Sequence, residues 1–205
     1  AVQQPRMRPL ARDEHLQYLP VRPASLLKLC PDLANRVVVV NGVSKAFAMT
    51  GWRLGFAAGP ADIIEAMSNL QAQTTLGPSS ISQAAAVAAL EGPRDSIDMM
   101  VKAYRKRRDL VMQIAAGCPG LKLQRPDGAF YAMLDLSEVF SQSKRFGTLG
   151  EPDQAFCDWL LETEQVAAVP GSVFGAPGCV RISFATDENT IDRGLRKLLT
   201  AASHS

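Results

Sequence analysis

Residues 37–40 are all valine, and this run constrains the fold more than any other segment of the sequence. β-Branched residues favour extended structure, and successive side chains point to opposite faces of a strand. A run without polar residues therefore predicts a strand covered on both faces, as in a parallel sheet flanked by helices. The chain has 205 residues, enough for one large domain or two small ones.

The segments after the valine run predict two parts of different architecture. Helical spacing of apolar residues follows Pro60, a residue that suits the first turn of a helix. Turn residues and short apolar runs dominate further on. The sequence thus predicts an α/β first part joined to a smaller α+β second part. The predicted elements are strands at 54–59, 121–123, 129–136, 166–169 and 179–185, and helices from 60 onward, at 82–91, 95–116, 153–164 and 190–202.

Composition excludes several classes of protein. Lys+Arg is 22 and Asp+Glu is 20, a net charge of +2, too balanced for a dedicated nucleic-acid binder or a polybasic membrane-surface protein. The basic run at residues 105–108 is accordingly predicted to be a solvated helix face. The four cysteines form no CxxC pair and the two histidines lie near the termini, which argues against disulfides and metal sites. No apolar run approaches the ~20 residues of a membrane span. We expect a cytoplasmic protein.

The loop after the valine run carries the residues best suited to chemistry. Ligands of open α/β sheets bind beyond the carboxyl ends of strands, and Lys45 lies just past this one. Apolar neighbours would desolvate the Lys45 amine and favour its neutral form, which can form a Schiff base with a carbonyl. Arg53, eight residues on, offers a planar fork for a phosphate. A lysine and a phosphate clamp together suit pyridoxal phosphate. The alternative is a solvated lysine and a surface ion-pair arginine.

Residues 41–55, NGVSKAFAMTGWRLG, closely resemble the cofactor-lysine segment of fold-type I, class I/II aminotransferases. The segment is most similar to the aspartate aminotransferase-like branch, and the resemblance runs from about residue 14 to 199. It implies the C-terminal part of the family's large domain, whose sheet is mostly parallel, plus a smaller α+β C-terminal domain. The further matching segments are GPSSISQAA (77–85), AALEGP (88–93), RPDGAFY (125–131), PGSVFG (170–175) and VRISFA (180–185).

The resemblance implies a role for each of three residues. Lys45 would hold pyridoxal 5'-phosphate as an internal aldimine and, once freed, shuttle a proton at the substrate α-carbon. Arg53 would bind the cofactor phosphate. Arg181 would bind the substrate α-carboxylate, for which the alternative is a structural ion pair. Tyr131 and Phe174 would line the site or belong to the core.

The family's upstream cofactor elements have no match in this sequence. Glu14 and His15 resemble a pair that follows an Asp-x-x-Tyr motif, but Leu10 and Asp13 stand where the Asp and the Tyr belong. We therefore expect a fragment or a truncated product. The expected domains are a non-matching leader (1–13), the remainder of the large domain (14–94), a connecting long helix (95–117) and a small C-terminal domain (118–205).

The resemblance implies an aminotransferase that moves an amino group between an L-amino acid, aspartate-like or aromatic, and a 2-oxo acid. A homodimer with small-molecule substrates is expected on the same ground. Two alternatives stay open: a non-catalytic remnant that acts only in assembly or binding, and a lyase or synthase that uses the same lysine and arginine.

Overall fold

The computed structural model describes residues 16–20, 25–143, 145–146 and 150–203. The chain divides into two compact units, Ala1–Met99 and Met100–Ser205, called unit 1 and unit 2. The leader at residues 1–13 and the pair Glu14-His15 lie outside the described residues.

Unit 1 contains a two-stranded sheet made of β1 (Val39–Gly42) and β2 (Gly55–Ala58). The strands run antiparallel, and Gly42 at the end of β1 pairs with Gly55 at the start of β2. β1 begins two residues later than the valine run predicts, and it includes the Asn-Gly pair that the sequence predicts to end it.

β1 is not covered on both faces, so the prediction from the valine run is wrong on this point. Val39 and Val40, whose side chains point to opposite faces, are 42% and 71% exposed. The physical reason is that the described residues of unit 1 give β1 one neighbouring strand, whereas a buried strand needs layers on both faces. The pairing is antiparallel because the chain returns directly from β1 to β2 rather than through a crossover helix packed on the sheet.

The helices of unit 1 form where their local sequence signals predict, but few of their side chains are buried. α3 (Ala61–Thr74) follows Pro60 as predicted, and none of its residues is buried. α4 (Ser80–Glu91) begins two residues earlier than predicted and buries only Ser82 and Ala86. The remaining helices are α1 (Leu26–Leu29), α2 (Val43–Ala46) and two 3-10 helices, Pro31–Arg36 and Thr50–Trp52.

α5 (Asp95–Ala115) carries the chain from unit 1 into unit 2, whose boundary falls after Met99. The helix ends one residue before the predicted end. Asp95 and Asp98 lie in its first turn, where negative charge is stabilised by the helix dipole.

Unit 2 is built on a four-stranded sheet in the order β3-β4-β6-β5, with each neighbouring pair antiparallel. β4 alternates buried and half-buried residues, the pattern of a strand with one face on a core. The fifth strand is shorter and later than the predicted 166–169. The strands are β3 (Lys122–Leu123), β4 (Tyr131–Asp135), β5 (Val169–Pro170) and β6 (Cys179–Ser183).

The α-helices that follow α5 in the described part of unit 2 are α6 (Ser137–Gln142), α7 (Pro152–Glu164) and α8 (Glu188–Ser203). α7 packs against both α8 and β6. The apolar stripe predicted for α8 is confirmed, because its buried residues recur at helical spacing. An aromatic cluster lies in the core, and its members are Phe140, Phe146, Phe156 and Trp159.

The basic run at residues 105–108 is not a uniformly solvated helix face, so that prediction is wrong for one residue. Arg108 is 4% exposed. Its guanidinium donates to the Asp109 carboxylate at 2.7 Å and to the Pro126 carbonyl at 3.3 Å. A buried arginine with such partners is tolerated because its donors are satisfied.

Among the described helices, none is long and apolar enough to cross a membrane. The same part of the chain holds no group of three His, Cys, Asp or Glu side chains that could bind a metal ion.

Candidate active site

The loop between β1 and β2 holds both basic residues that the sequence predicts at the cofactor. Gly42 pairs with Gly55, so the two ends of the loop leave the sheet side by side. Lys45 lies three residues after β1, and Arg53 lies two residues before β2. The strand pair thus sets both residues at one end of the sheet.

The base of this loop is tight. A Cβ atom on Gly42 would lie 3.1 Å from the Leu54 carbonyl oxygen, and one on Gly55 would lie 3.2 Å from the Asn41 carbonyl oxygen. Because such contacts are closer than a real Cβ tolerates easily, glycine at both positions lets the two backbones approach.

Lys45 lies on α2, a single helical turn anchored by two buried side chains. Val43 is fully buried and Ala46 nearly so, whereas Lys45 between them is exposed. The desolvation that the sequence argument invokes is therefore not provided by the described residues. The turn instead holds Lys45 at the end of the sheet, as an exposed residue.

Arg53 adopts a left-handed backbone conformation, with φ 51° and ψ 47°. Non-glycine residues adopt it at an energetic penalty, and such residues cluster at functional sites. Arg53 Nη1 donates to the Thr50 carbonyl at 3.0 Å, which curls the side chain over its own turn. It makes no ion pair with a carboxylate among the described residues. A guanidinium has five N–H donors, so donors remain for an anion.

Arg181 lies on β6 in unit 2, opposite Met133 on β4 and Val169 on β5. Its guanidinium carbon lies 4.4 Å from the centre of the Tyr131 ring and 4.2 Å from that of Phe174. Stacking on two aromatic faces holds a guanidinium flat and leaves its edge donors open. No carboxylate pairs with Arg181 in the described part of the chain, so the predicted alternative of a structural ion pair finds no partner there.

Phe174 belongs to a 3-10 turn, Gly171–Phe174, that directly follows β5. A Cβ on Gly171 would lie 2.7 Å from the Cys179 Cβ atom, so this turn packs on β6 only with glycine there. Asp153 on α7 accepts a hydrogen bond from the Ser172 amide at 2.8 Å. Sequence reasoning missed Asp153, because an acid in the first turn of a helix is common and the partner is distant in sequence.

Two separate clusters therefore contain the predicted residues. Lys45 and Arg53 share one loop of unit 1, while Arg181 lies with Tyr131 and Phe174 in unit 2. The first cluster offers an amine and a guanidinium; the second offers a guanidinium held by two rings.

Comparison with known proteins identifies the family. The family model described as "Aminotransferase class I and II" matches residues 14–198. The chain belongs to this family. It is 44% identical over 188 residues to an aspartate aminotransferase of Rhizobium meliloti, covering 92% of this chain and 46% of the relative. It is 43% identical over 180 residues to an aspartate/prephenate aminotransferase of Nitrosomonas europaea, covering 87% of this chain and 45% of the relative.

Solved structures of aminotransferases share the fold. The crystal structure of the Rhizobium meliloti aspartate aminotransferase superposes with a TM-score of 0.85 at 43% identity, covering 93% of this chain and 48% of that one. An aromatic aminotransferase from Pyrococcus horikoshii superposes with a TM-score of 0.80 at 35% identity, covering 91% and 48%. The predicted fold class is thereby confirmed: an α/β chain that corresponds to the C-terminal part of a fold-type I aminotransferase. The chain spans about half the length of these relatives.

Proposed function

We propose that this chain forms part of an aminotransferase that moves an amino group between an L-amino acid and a 2-oxo acid. The observation that carries the proposal is the loop between β1 and β2, which places Lys45 and Arg53 at one end of the sheet. Membership of the class I and II aminotransferase family supports it.

Pyridoxal 5'-phosphate is the cofactor that this donor set fits. Lys45 is an exposed lysine at the end of the sheet, and a lysine amine is the group needed to anchor an aldehyde covalently. Arg53 keeps donors and positive charge without a carboxylate partner in the described residues, as a phosphate ligand requires. When bound, pyridoxal phosphate supplies an electron sink for a carbanion at the substrate α-carbon.

Residues of the chain would bind the substrate and transfer the proton. Arg181 would hold the substrate α-carboxylate through two parallel N–H bonds, and the Tyr131 and Phe174 rings on its guanidinium would fix the direction of those donors. Lys45, with its amine released from the cofactor, would move a proton at the substrate α-carbon.

The substrate class follows from the relatives' names. Relatives are named aspartate and aspartate/prephenate aminotransferases, and one matched structure is an aromatic aminotransferase. We propose an aspartate-like or aromatic amino acid as donor, a cytoplasmic location and a homodimer. We also propose the domain division of 14–94, 95–117 and 118–205.

A second candidate is a non-catalytic member of the family that acts only in assembly or binding. It is favoured by one observation: unit 1 exposes apolar side chains on both faces of β1, a surface suited to association. Transaminase activity of this chain well above that of free pyridoxal phosphate would exclude it.

The test of cofactor binding uses this chain, the Lys45→Ala variant and the matched control Lys28→Ala, which removes another exposed lysine of unit 1. Added pyridoxal phosphate should produce a visible absorbance band, and borohydride should fix one cofactor to the peptide that contains Lys45. Lys45→Ala should lose both signals because it removes the amine, and Lys28→Ala should keep both. If the unaltered chain shows no band and no adduct on Lys45, cofactor binding by this chain is disproved.

A further inference from the structure

Asp153 is the most deeply buried ionisable side chain among the described residues. Its side chain is fully buried in the first turn of α7. Oδ2 accepts a hydrogen bond from the Ser172 amide at 2.8 Å, while Oδ1 has no partner within the described residues.

A buried carboxylate with one hydrogen-bond partner lowers the stability of the folded state, because its charge loses contact with water. An apolar residue of similar size at this position would avoid that desolvation. The hydrogen bond to Ser172 is therefore the specific contribution of Asp153. It joins α7 to a turn 19 residues away in sequence.

The 3-10 turn that contains Ser172 is held together by its own backbone hydrogen bonds. The Gly175 amide donates to the Ser172 carbonyl at 2.9 Å, and the Ala176 amide donates to the Gly171 carbonyl at 3.0 Å. A closed 3-10 turn moves as one body, so the position of the Ser172 amide sets the position of Phe174 two residues later. The carboxylate also faces the amino end of the turn, where an unpaired N–H needs an acceptor.

Phe174 in turn touches Arg181. Its ring centre lies 4.2 Å from the Arg181 guanidinium carbon, and Tyr131 lies on the same guanidinium. If the turn moved away from β6, Arg181 would lose one of its two aromatic contacts. The guanidinium would then sample other rotamers, and its donors would no longer be directed at one place.

We propose that Asp153 is a positioning residue for the Arg181 carboxylate site, acting through the Ser172 amide and the Phe174 ring. The role of Arg181 in binding a carboxylate rests on the proposed function; the mechanical link from Asp153 to Arg181 does not. Asp153 touches neither substrate nor cofactor in this scheme.

The link is tested in the full chain by NMR of the Arg181 side chain. Aromatic rings close to a guanidinium shift its Nε proton upfield, so this resonance reports the ring contacts directly. Asp153→Ala should move the resonance downfield, in the direction of Phe174→Ala. Asp153→Asn keeps an acceptor for the Ser172 amide and should restore the wild-type position. Asp158→Ala removes an exposed acid of the same helix and is the matched control.

The second measurement is the affinity of the chain for maleate, a dicarboxylate that serves as the probe of the Arg181 carboxylate site. The dissociation constant for maleate should rise about tenfold in Asp153→Ala, and should stay within about twofold of wild type in Asp153→Asn and Asp158→Ala. A merely structural role would lower the melting temperature of Asp153→Ala without moving the Arg181 resonance or this constant, and would overturn the proposal.

Two outcomes separate this proposal from the proposed function. If the Arg181 resonance of the unaltered chain does not respond to maleate, the carboxylate-binding role fails, while a resonance shift in Asp153→Ala still supports the link. Ser172→Pro, which removes the amide donor but keeps Asp153, should reproduce the shift. Failure of both Asp153→Ala and Ser172→Pro to fold would assign the bond to fold stability and overturn the positioning role.

Discussion

The two units of this chain bury their apolar side chains to very different extents. Unit 2 packs α7 against its four-stranded sheet and buries most of its aromatic cluster. The described part of unit 1 has two strands and buries few apolar residues. Among the described residues, all but three of the exposed large hydrophobic side chains belong to unit 1, and the exceptions are Leu161, Val173 and Phe174.

The difference shows that an apolar sequence pattern can indicate a strand suited to burial without determining which strands and helices cover it. β1 has the composition of a central strand, yet the described part of unit 1 gives it one neighbouring strand and leaves Val39 and Val40, on opposite faces, exposed. The relatives are about twice as long as this chain.

The sharpest test of this contrast compares two phenylalanines. Phe156→Ala should lower the free energy of unfolding of unit 2 by about 3–5 kcal/mol, because the ring is fully buried in the aromatic cluster and its removal leaves a cavity. Phe56→Ala should change stability by less than about 1 kcal/mol, because that ring is 42% exposed. Urea unfolding followed by Trp159 fluorescence in a Trp52→Phe background reports unit 2, and Trp52 fluorescence in a Trp159→Phe background reports unit 1. Losses of similar size would show that unit 1 has a core of its own.

Two cysteines give a test of intermediate size. Burial, together with the charges of Asp153 and Asp158, raises the pKa of the Cys157 thiol to about 12, so little thiolate is present at neutral pH. Iodoacetamide at pH 8 should modify Cys157 at least about tenfold more slowly than the half-buried Cys30 in unit 1. Mass spectrometry of tryptic peptides measures both rates in one sample.

The same raised pKa gives a pH dependence with a fixed sign. Native Cys157 keeps its proton at a pH where the unfolded chain has lost it, so unit 2 loses stability as the pH rises from the ordinary thiol range toward about 12.

In the labelling experiment, equal iodoacetamide rates for Cys30 and Cys157 would mean that unit 2 opens as readily as unit 1.

The smallest expected effect concerns helix starts. Asp187 precedes α8 and accepts hydrogen bonds from the Thr190 amide at 2.9 Å and its hydroxyl at 2.6 Å, which lower the pKa of the Asp187 carboxyl. Asp187→Ala should reduce the melting temperature by about 2–4 °C. Because the pKa is lowered, this stabilisation should persist at neutral pH and disappear in acid.

Asp62→Ala in α3 is the comparison in unit 1: Asp62 is an acid in the first turn of its helix, whereas Asp187 directly precedes α8. We expect less than about 1 °C of change in the melting temperature, because a weakly packed helix contributes little to cooperative unfolding. Calorimetry of both variants makes the comparison, and a larger effect of Asp62→Ala would contradict the ranking of the two units.

Helices were predictable from the sequence because their signals are local. Pro60 ahead of α3 and the apolar spacing within α8 are contained in the segments themselves. The same holds for the placement of Lys45 after a strand and of Arg181 on one, since short apolar runs mark both strands. Their roles at a cofactor and a substrate stay predictions.

The features that sequence reasoning did not foresee depend on distant partners. The exposure of Val40 depends on which layers surround β1, and the burial of Arg108 depends on the Pro126 carbonyl 18 residues away. The bond from Asp153 to the Ser172 amide is of the same kind. No periodicity in a single sequence encodes such pairs.

The pairing of Gly42 with Gly55 bears on how the loop between them can change in length. The entropy of closing a loop grows only with the logarithm of its length, by about 0.6 kcal/mol for each doubling. Lys45 is placed from the β1 end and Arg53 from the β2 end. Insertions among residues 47–49, before the Thr50–Trp52 turn that accepts the Arg53 hydrogen bond, would therefore lengthen the loop while Lys45 and Arg53 stay at the end of the sheet.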